Sequence, residues 1–367
     1  MLEWFPTPYP EEWLYSVLCR FYACSGIEES NVVKRILFDG RDGARMGTIF
    51  PNQTVLEVMS QLPPNVFNIR DIILNHTPYK FYTRMYPKTV RESILEQLCN
   101  GETVQLTHLW KSFKRASWAP RFCPRCVTED RERYGKPYWH TDHQIPLMSV
   151  CPKHRCALVQ IKLSPPYPTL NQKFYPLERV DCDVEPNYNC TTWEETVSCH
   201  VREYWLLPLS SGRTEGYNNL VQSLKNKGYL SIMRQSPTSL DGEKLYIDMV
   251  AFFGKKKVKD VFGDKLDAGM ILRIARWEQL LPDRYILLQT MIDLPTETVF
   301  ADTQVPDMLK ERLLLMENKT AFLPKRQAAK TLGLKEYELN ALMKEYCDIQ
   351  PFWVEPEKKK YKQPRSA

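Results

Sequence analysis

Residues 121–158 read RFCPRCVTEDRERYGKPYWHTDHQIPLMSVCPKHRCAL, and this stretch decides the fold of the chain. It opens with a knuckle that holds Cys123 and Cys126, and it closes with a knuckle of equal length that holds Cys151 and His154. The spacing lets a tight turn direct both side chains of each knuckle at one ion. Three thiolates and one imidazole form the closed tetrahedral set of a structural zinc site, which leaves no position for a substrate. We therefore predict Zn²⁺ bound by these four residues.

Three other side chains compete for the site. His140 and His143 lie between the knuckles. The distance in sequence from Cys126 to His140 is close to that of a Cys₂His₂ finger. Such fingers usually separate their two histidines by roughly three to five residues. Only two residues separate His140 from His143. Cys156 could replace His154, although it lies beyond the knuckle. The sequence favours the first set and predicts His140 and His143 as a strand pair or as hydrogen-bond donors behind the ligands.

The composition is that of an ordinary soluble protein of two or three domains. The chain has 367 residues, of which 43% are hydrophobic and 26% charged. Its net charge of +6 is a mild indication of a polyanionic partner. We find no secretory signal and no apolar run near the ~18 residues of a membrane span. We therefore expect a cytoplasmic, nucleoid-associated protein without a membrane partner, in which the 11 cysteines favour metal over disulfides.

The apolar periodicity predicts a mainly α protein in which the zinc ribbon supplies small β elements. An N-terminal helical domain, residues 1–115, contains short helices over 54–62 and 68–75 that could form a helix-turn-helix, with a plain helical bundle as the alternative. Lys80 and Arg84 are interleaved with the aromatic run of residues 77–86, where they could contact DNA phosphates.

A second helix-turn-helix is predicted over residues 322–346, FLPKRQAAKTLGLKEYELNALMKEY. Ala329 allows two helices to cross closely and Gly333 supplies the tight turn, although an ordinary helical hairpin has the same pattern. In the DNA-binding interpretation, base-facing and phosphate-facing positions can be assigned. The base-facing positions are Lys335, Glu336, Tyr337, Glu338 and Asn340, and the phosphate-facing positions are Lys325, Arg326 and Lys330.

These patterns predict five segments. They are the N-terminal helical domain over 1–115, the zinc ribbon over 116–163, a linker or ribbon extension over 164–217, a C-terminal helical DNA-binding domain over 218–354 and a basic disordered tail over 355–367. The sequence contains no Walker-type phosphate loop, no HExxH and no G-x-S-x-G motif, so nothing in it points to an enzyme.

Several motifs of the first 160 residues resemble the TniQ/TnsD family of bacterial transposon target-selection proteins, which includes members associated with CRISPR systems. The motifs are Phe5–Tyr9 (FPTPY), Leu14–Arg20 (LYSVLCR), His76–Tyr82 (HTPYKFY), Phe122–Cys126 (FCPRC), Arg133–Gly135 (RYG), Tyr138–Trp139 (YW) and Cys151–His154 (CPKH).

The resemblance implies the same four zinc ligands and a protein that recognises a target and does not react with it. It implies double-stranded DNA as a partner, together with an AAA+ ATPase, TnsC, that brings the transposase. The leading prediction is a selector that binds a specific attachment site. The alternative is an adaptor that links an RNA-guided Cascade complex to TnsC.

Overall fold

The computed structural model describes the chain in ranges that cover most of its first 300 residues and a short piece near its end. The ranges are 4–40, 46, 50–62, 67–86, 88–102, 119–163, 170–171, 173–209, 217–233, 236–240, 242–263, 281–300, 325–331 and 334–345. The predicted basic tail and Gly333 lie outside them. The chain forms two compact units, residues 1–300 and 301–367.

The first unit begins with short helices, as the periodicity predicts. They are α1 (Leu14–Cys24), α2 (Ser30–Leu37), α3 (Gln53–Met59), α4 (Ile69–Asn75), α5 (Tyr79–Thr83) and α6 (Lys88–Cys99). Asn68 caps α4, because its side chain accepts hydrogen bonds from the first free N–H groups of the helix, those of Arg70 and Asp71. Gly101 follows α6 at φ +76°, and a Cβ there would lie 3.0 Å from Gln53. Both the backbone angle and the approach of α3 therefore require glycine.

The region of the two knuckles combines a small sheet with a helix. Strands β1 (Arg121–Phe122) and β2 (Val159–Gln160) pair antiparallel. Between them lies α7 (Pro124–Tyr134), which starts with proline at its first position and ends at Gly135 in the left-handed conformation. The sequence analysis predicted the β elements and missed this helix. The expected strand pair is also wrong, because His143 lies in the 3₁₀ turn Asp142–Gln144.

Helices also dominate the rest of the first unit. The elements are a 3₁₀ turn (Leu177–Arg179), α8 (Thr192–Leu206), α9 (Tyr217–Asn226), β3 (Leu230–Met233), β4 (Ser236–Leu240), α10 (Gly242–Phe253), α11 (Lys255–Phe262), α12 (Pro282–Met291) and α13 (Thr296–Val299). A reciprocal capping box between Thr191 and Glu194 starts α8. The lysine-dense stretch after Gly254 forms α11, and the antiparallel hairpin of β3 and β4 was not predicted.

Two hydrophobic clusters form the core of the first unit. One packs α1 to α4 with Phe122 and Trp139, and the other packs α5, α6 and α8 to α12 with Ile145 and Met148. Phe174, from the segment predicted as linker or ribbon extension, is buried in the first cluster. The residues between the two knuckles thus contribute to both clusters.

The second unit contains the predicted helical hairpin. Its helices are α14 (Lys325–Thr331) and α15 (Glu336–Glu345). Ala328 and Ala329 are buried, Leu339 is buried on α15, and the N–H of Leu334 donates to the carbonyl of Ala329 at 2.8 Å. Small residues at the crossing and a hydrogen bond across the turn produce the expected close packing.

No helix in the described ranges has the length and apolar character needed to cross a membrane.

Candidate metal centre

The first turn of α7 positions two of the predicted ligands. Cys123 is the N-cap residue, with an extended backbone (φ −101°, ψ 125°), and its sulfur accepts the backbone N–H of Cys126 at 3.4 Å. Pro124 holds the first helical position, where its missing N–H costs nothing. A helix start built in this way points both sulfurs to the same side.

A tight turn closed by backbone hydrogen bonds presents the second knuckle. The N–H of Arg155 donates to the carbonyl of Cys151 at 2.8 Å, and the N–H of Cys151 donates to the carbonyl of Cys156 at 2.8 Å. Arg155 adopts φ +52°, a left-handed conformation that non-glycine residues seldom take. The turn brings Cys151 and His154 opposite the first knuckle.

The four predicted ligands lie together. Their ligand atoms are all within 4.8 Å of one another. His154 Nδ1 is 3.4 Å from the sulfurs of Cys123 and Cys126 and 3.6 Å from that of Cys151. The sulfurs of Cys126 and Cys151 are 3.8 Å apart. Tetrahedral bonds of about 2.3 Å to sulfur and about 2.05 Å to nitrogen require separations of about 3.8 Å and about 3.6 Å. The cluster could therefore hold a metal ion with little rearrangement.

The charge state of the sulfurs also fits a cation. The neighbouring sulfur of Cys123, then that of Cys151, then burial raise the pKa of Cys126 far above its ordinary value. Thiolates in such a group repel one another. A bound cation reverses this effect, because it deprotonates the thiols that coordinate it.

Glu129 contacts the imidazole of His154 on the side away from the sulfurs. His154 Nε2 lies 2.9 Å from Glu129 Oε1, which fixes the ring so that Nδ1 faces the sulfurs. Lys153 pairs with the other oxygen of the same carboxylate. Burial raises the pKa of Glu129, but the hydrogen bonds from Lys153 and His154 outweigh it and lower that pKa overall. The sequence analysis missed Glu129, although its position three residues after Cys126 places both on one face of α7.

The three competing side chains have other contacts. His140 Nε2 lies 2.9 Å from the carboxylate of Asp130, and its ring stacks on Tyr138. His143 is buried, and its ring centroid lies 4.9 Å from that of His140. The sulfur of Cys156 lies 3.4 Å from that of Cys123 but does not belong to the compact group of four.

The two basic residues predicted to contact DNA in the N-terminal domain occupy different environments. Arg84 is 1% exposed, and its guanidinium donates to the carbonyls of Tyr204, Leu207 and Pro208 at the end of α8. A guanidinium enclosed in this way stabilises the packing against the end of α8 and is not available to a phosphate. Arg84 is therefore not part of the proposed DNA interface. Lys80 is half-buried, with its Nζ 5.3 Å from the Trp205 ring centroid.

The predicted contacts of the second unit lie at its surface. Arg326, Lys330 and Lys335 are exposed, Tyr337 is 62% exposed and Asn340 is half-buried. Lys325 begins α14, and its side chain is outside the described part of the structure.

The carboxylate of Glu338 orders the start of α15. It accepts the backbone N–H of Lys335 at 2.7 Å and the hydroxyl of Tyr337 at 3.2 Å. The exposed Tyr337 ring is therefore held at the beginning of the helix.

Comparison with known proteins agrees with the position of the cluster. The TniQ family matches residues 3–158, a range that includes all four ligand residues. The transposon Tn7 transposition protein TnsD of Escherichia coli is 26% identical over 156 residues, which cover 41% of this chain and 30% of that protein. The matched part is thus less than a third of the relative's length. Residues 3–158 of this chain therefore match the TniQ family, and over this part the chain is similar to TnsD.

Proposed function

We propose that this chain selects the target site of a transposition system. It binds a specific DNA attachment site and recruits an AAA+ ATPase of the TnsC type, which brings the transposase. The observation that carries the proposal is the TniQ match over residues 3–158, within which the four ligand atoms converge. The similarity to a transposition protein over the same part of the chain supports it.

The metal in this proposal is Zn²⁺, and its role is structural. Three sulfurs and one imidazole nitrogen match the donor preference of zinc, and they complete a tetrahedron. A bound ion would supply folding free energy to a region with only two short strands and one helix. The protein therefore recognises its target, and catalysis is left to its partners.

The DNA-reading element in this proposal is the helical hairpin of α14 and α15. In a helix-turn-helix the second helix enters the major groove with its N-terminal residues at the base edges. Lys335 directly precedes α15, and Tyr337 and Asn340 lie in its first half, with Tyr337 62% exposed. Arg326 and Lys330 are exposed on the preceding helix, where they can reach phosphates.

Mobility-shift titrations over a salt series test the proposal. The probes are duplexes tiled across the DNA next to the transposon ends, compared with a scrambled duplex of the same composition. We expect one tile to bind at least about 10³-fold more tightly than the scrambled DNA. Equal affinity for every duplex would refute the proposal, because phosphate contacts alone carry no sequence information.

Matched variants separate the two kinds of contact. Lys330→Ala should weaken binding to all duplexes alike and reduce the salt slope by about one. Asn340→Ala should cost about 1–3 kcal/mol on the specific tile and little on scrambled DNA. Lys256→Ala removes an exposed positive charge of α11 and serves as the control. If Lys256→Ala has the same effect as Lys330→Ala, the hairpin is not the reading element.

A second candidate function is the adaptor that joins a Cascade complex to TnsC. The observation that favours it is the environment of the N-terminal basic residues: Arg84 is enclosed, Lys80 packs on Trp205, and Arg70 pairs with Glu92 at 2.6 Å. These three positive charges are engaged by groups of the chain itself, which suits a protein partner better than DNA. Co-purification with Cascade in the absence of target DNA would support the adaptor function. Specific binding to a duplex by the isolated chain would show that target recognition does not require Cascade.

A further inference from the structure

A fifth sulfur adjoins the metal centre and is not one of its ligands. Cys156 is fully buried, and its Sγ lies 3.4 Å from Cys123 Sγ. Its backbone is fixed by the second knuckle, since its carbonyl accepts the N–H of Cys151 and the next residue forms the bridge between Val150 and Ala157. The position of this sulfur therefore follows from the same turn that presents two of the ligands.

The geometry separates Cys156 from the coordinating group. Four ligand atoms, those of Cys123, Cys126, Cys151 and His154, lie within 4.8 Å of one another, and they already complete a tetrahedron. The sulfur of Cys156 approaches Cys123 from outside this group.

The chemistry of the two sulfurs sets the direction of the contact. A metal-bound thiolate has no proton, so Cys123 can only accept a hydrogen bond. Two thiolates 3.4 Å apart would repel each other, so a hydrogen bond at this distance requires the proton to be on Cys156. We propose that Cys156 donates an S–H···S hydrogen bond to the metal-bound thiolate of Cys123 and thereby strengthens metal binding. The inference rests on the proposed metal site.

Cys123 then receives two donors, the N–H of Cys126 and the S–H of Cys156. Three thiolates, one neutral imidazole and a divalent cation carry a net charge of −1 in a buried site, and hydrogen bonds to the sulfur offset the cost of that charge. Groups that hold a metal ligand in this way change metal affinity by about 10- to 100-fold when they are removed. Cys156 is thus a positioning residue of the centre.

Infrared difference spectra of the zinc-loaded protein test the hydrogen bond directly. Serine is close to cysteine in size, so Cys156→Ser keeps the fold, and the wild-type spectrum minus that of the variant isolates the S–H stretch of Cys156. We expect one S–H band, shifted to lower frequency than the band of a free thiol. A band at the free-thiol frequency would overturn the proposal. The absence of any band would also overturn it, because Cys156 would then be a deprotonated ligand.

Competition with a zinc chelator measures how much the hydrogen bond from Cys156 contributes to zinc affinity. Cys156→Ala should lower zinc affinity by about 10- to 100-fold, and Cys156→Ser, whose hydroxyl can donate, should recover most of the loss. Cys182→Ala removes a buried thiol outside the centre and is the control. Unchanged affinity in Cys156→Ala, or an equal loss in the Ala and Ser variants, would overturn the proposal, since the second result would indicate packing alone.

Co²⁺ loading distinguishes the failure of this inference from failure of the metal site. In Cys156→Ala the intensity of the sulfur-to-cobalt charge-transfer band should stay at its wild-type value, because three thiolates still bind, while its energy should fall. Loss of intensity would overturn the inference and leave the metal site standing. If the wild-type protein takes up no metal, both proposals fall.

Discussion

Replacing Glu12 by Gln removes one charge from a buried ion pair that fastens the start of the chain to α1. The Glu12 carboxylate is 0% exposed and accepts two hydrogen bonds from the Arg20 guanidinium, at 2.8 and 2.7 Å, and one from the N–H of Tyr9 at 2.9 Å. Breaking a buried pair leaves the other charge uncompensated and costs about 3–5 kcal/mol. This corresponds to a roughly 100- to 4,000-fold increase in the opening of α1.

Amide hydrogen exchange is the suitable assay, because it reports local opening in a chain with more than one compact unit. A matched control is Glu92→Gln, which breaks the pair between Arg70 and Glu92. Its atoms are also close, at 2.6 Å, but its side chains are 47% and 45% exposed. An exposed pair is worth about 0.2–1 kcal/mol, so exchange in α4 and α6 should accelerate by no more than about fivefold. Equal acceleration in the two variants would refute the reasoning that burial decides the cost.

Three further changes probe the metal region. Cys126→Ala should abolish stoichiometric zinc by elemental analysis and unfold the knuckles, because metal binding there is folding free energy, on the order of 10 kcal/mol in finger peptides; a full complement of zinc would refute the ligand set. Glu129→Ala should lower zinc affinity by about 10- to 100-fold in chelator competition, and an unchanged value would show that His154 needs no support. Burial lowers the pKa of His140, but Asp130 outweighs it and raises that pKa above its ordinary value. The stability that His140 adds is therefore complete below about pH 6.5 and is lost as the pH rises through the raised pKa. The difference in unfolding free energy between wild type and His140→Gln should shrink over that rise, and a difference that grows would contradict it.

The four candidate ligands could be predicted from the sequence because their signal is local. Two knuckles of equal length, each with two ligand-type side chains, require only a turn to bring the pairs together. The structure brings the four atoms within 4.8 Å of one another. Glu129 carried no comparable signal. Its role depends on the direction of α7, a helix that the expectation of a β ribbon did not include.

Burial of charged residues could not be predicted, because it depends on tertiary packing. Arg84 lies in an aromatic run. The local sequence would be the same for an exposed arginine that contacts a phosphate and for a buried arginine that donates to carbonyls distant in the sequence. Its partners are about 120 residues away in the sequence, at the end of α8. Arg20 is a second buried cation, and no local pattern in the sequence identifies Glu12 as its partner. The hairpin of β3 and β4 was missed because its five-residue second strand, SPTSL, has no apolar alternation.

Helix α1 makes contacts with residues far along the chain, so these contacts can form only late in translation. The N–H of Trp13 donates to the carbonyl of Trp139 at 2.8 Å, the hydroxyl of Ser16 accepts the N–H of Trp139 at 3.0 Å, and the hydroxyl of Tyr15 donates to the carbonyl of Lys173 at 2.9 Å. A ribosome adding about 5–20 residues per second needs roughly 8–30 s to pass from the end of α1 to Lys173. For that time the nascent α1 helix has only its contacts with α2 to α4, so the part of α1 that packs against Trp139 and the residues near Lys173 stays open to chaperones until those residues have emerged.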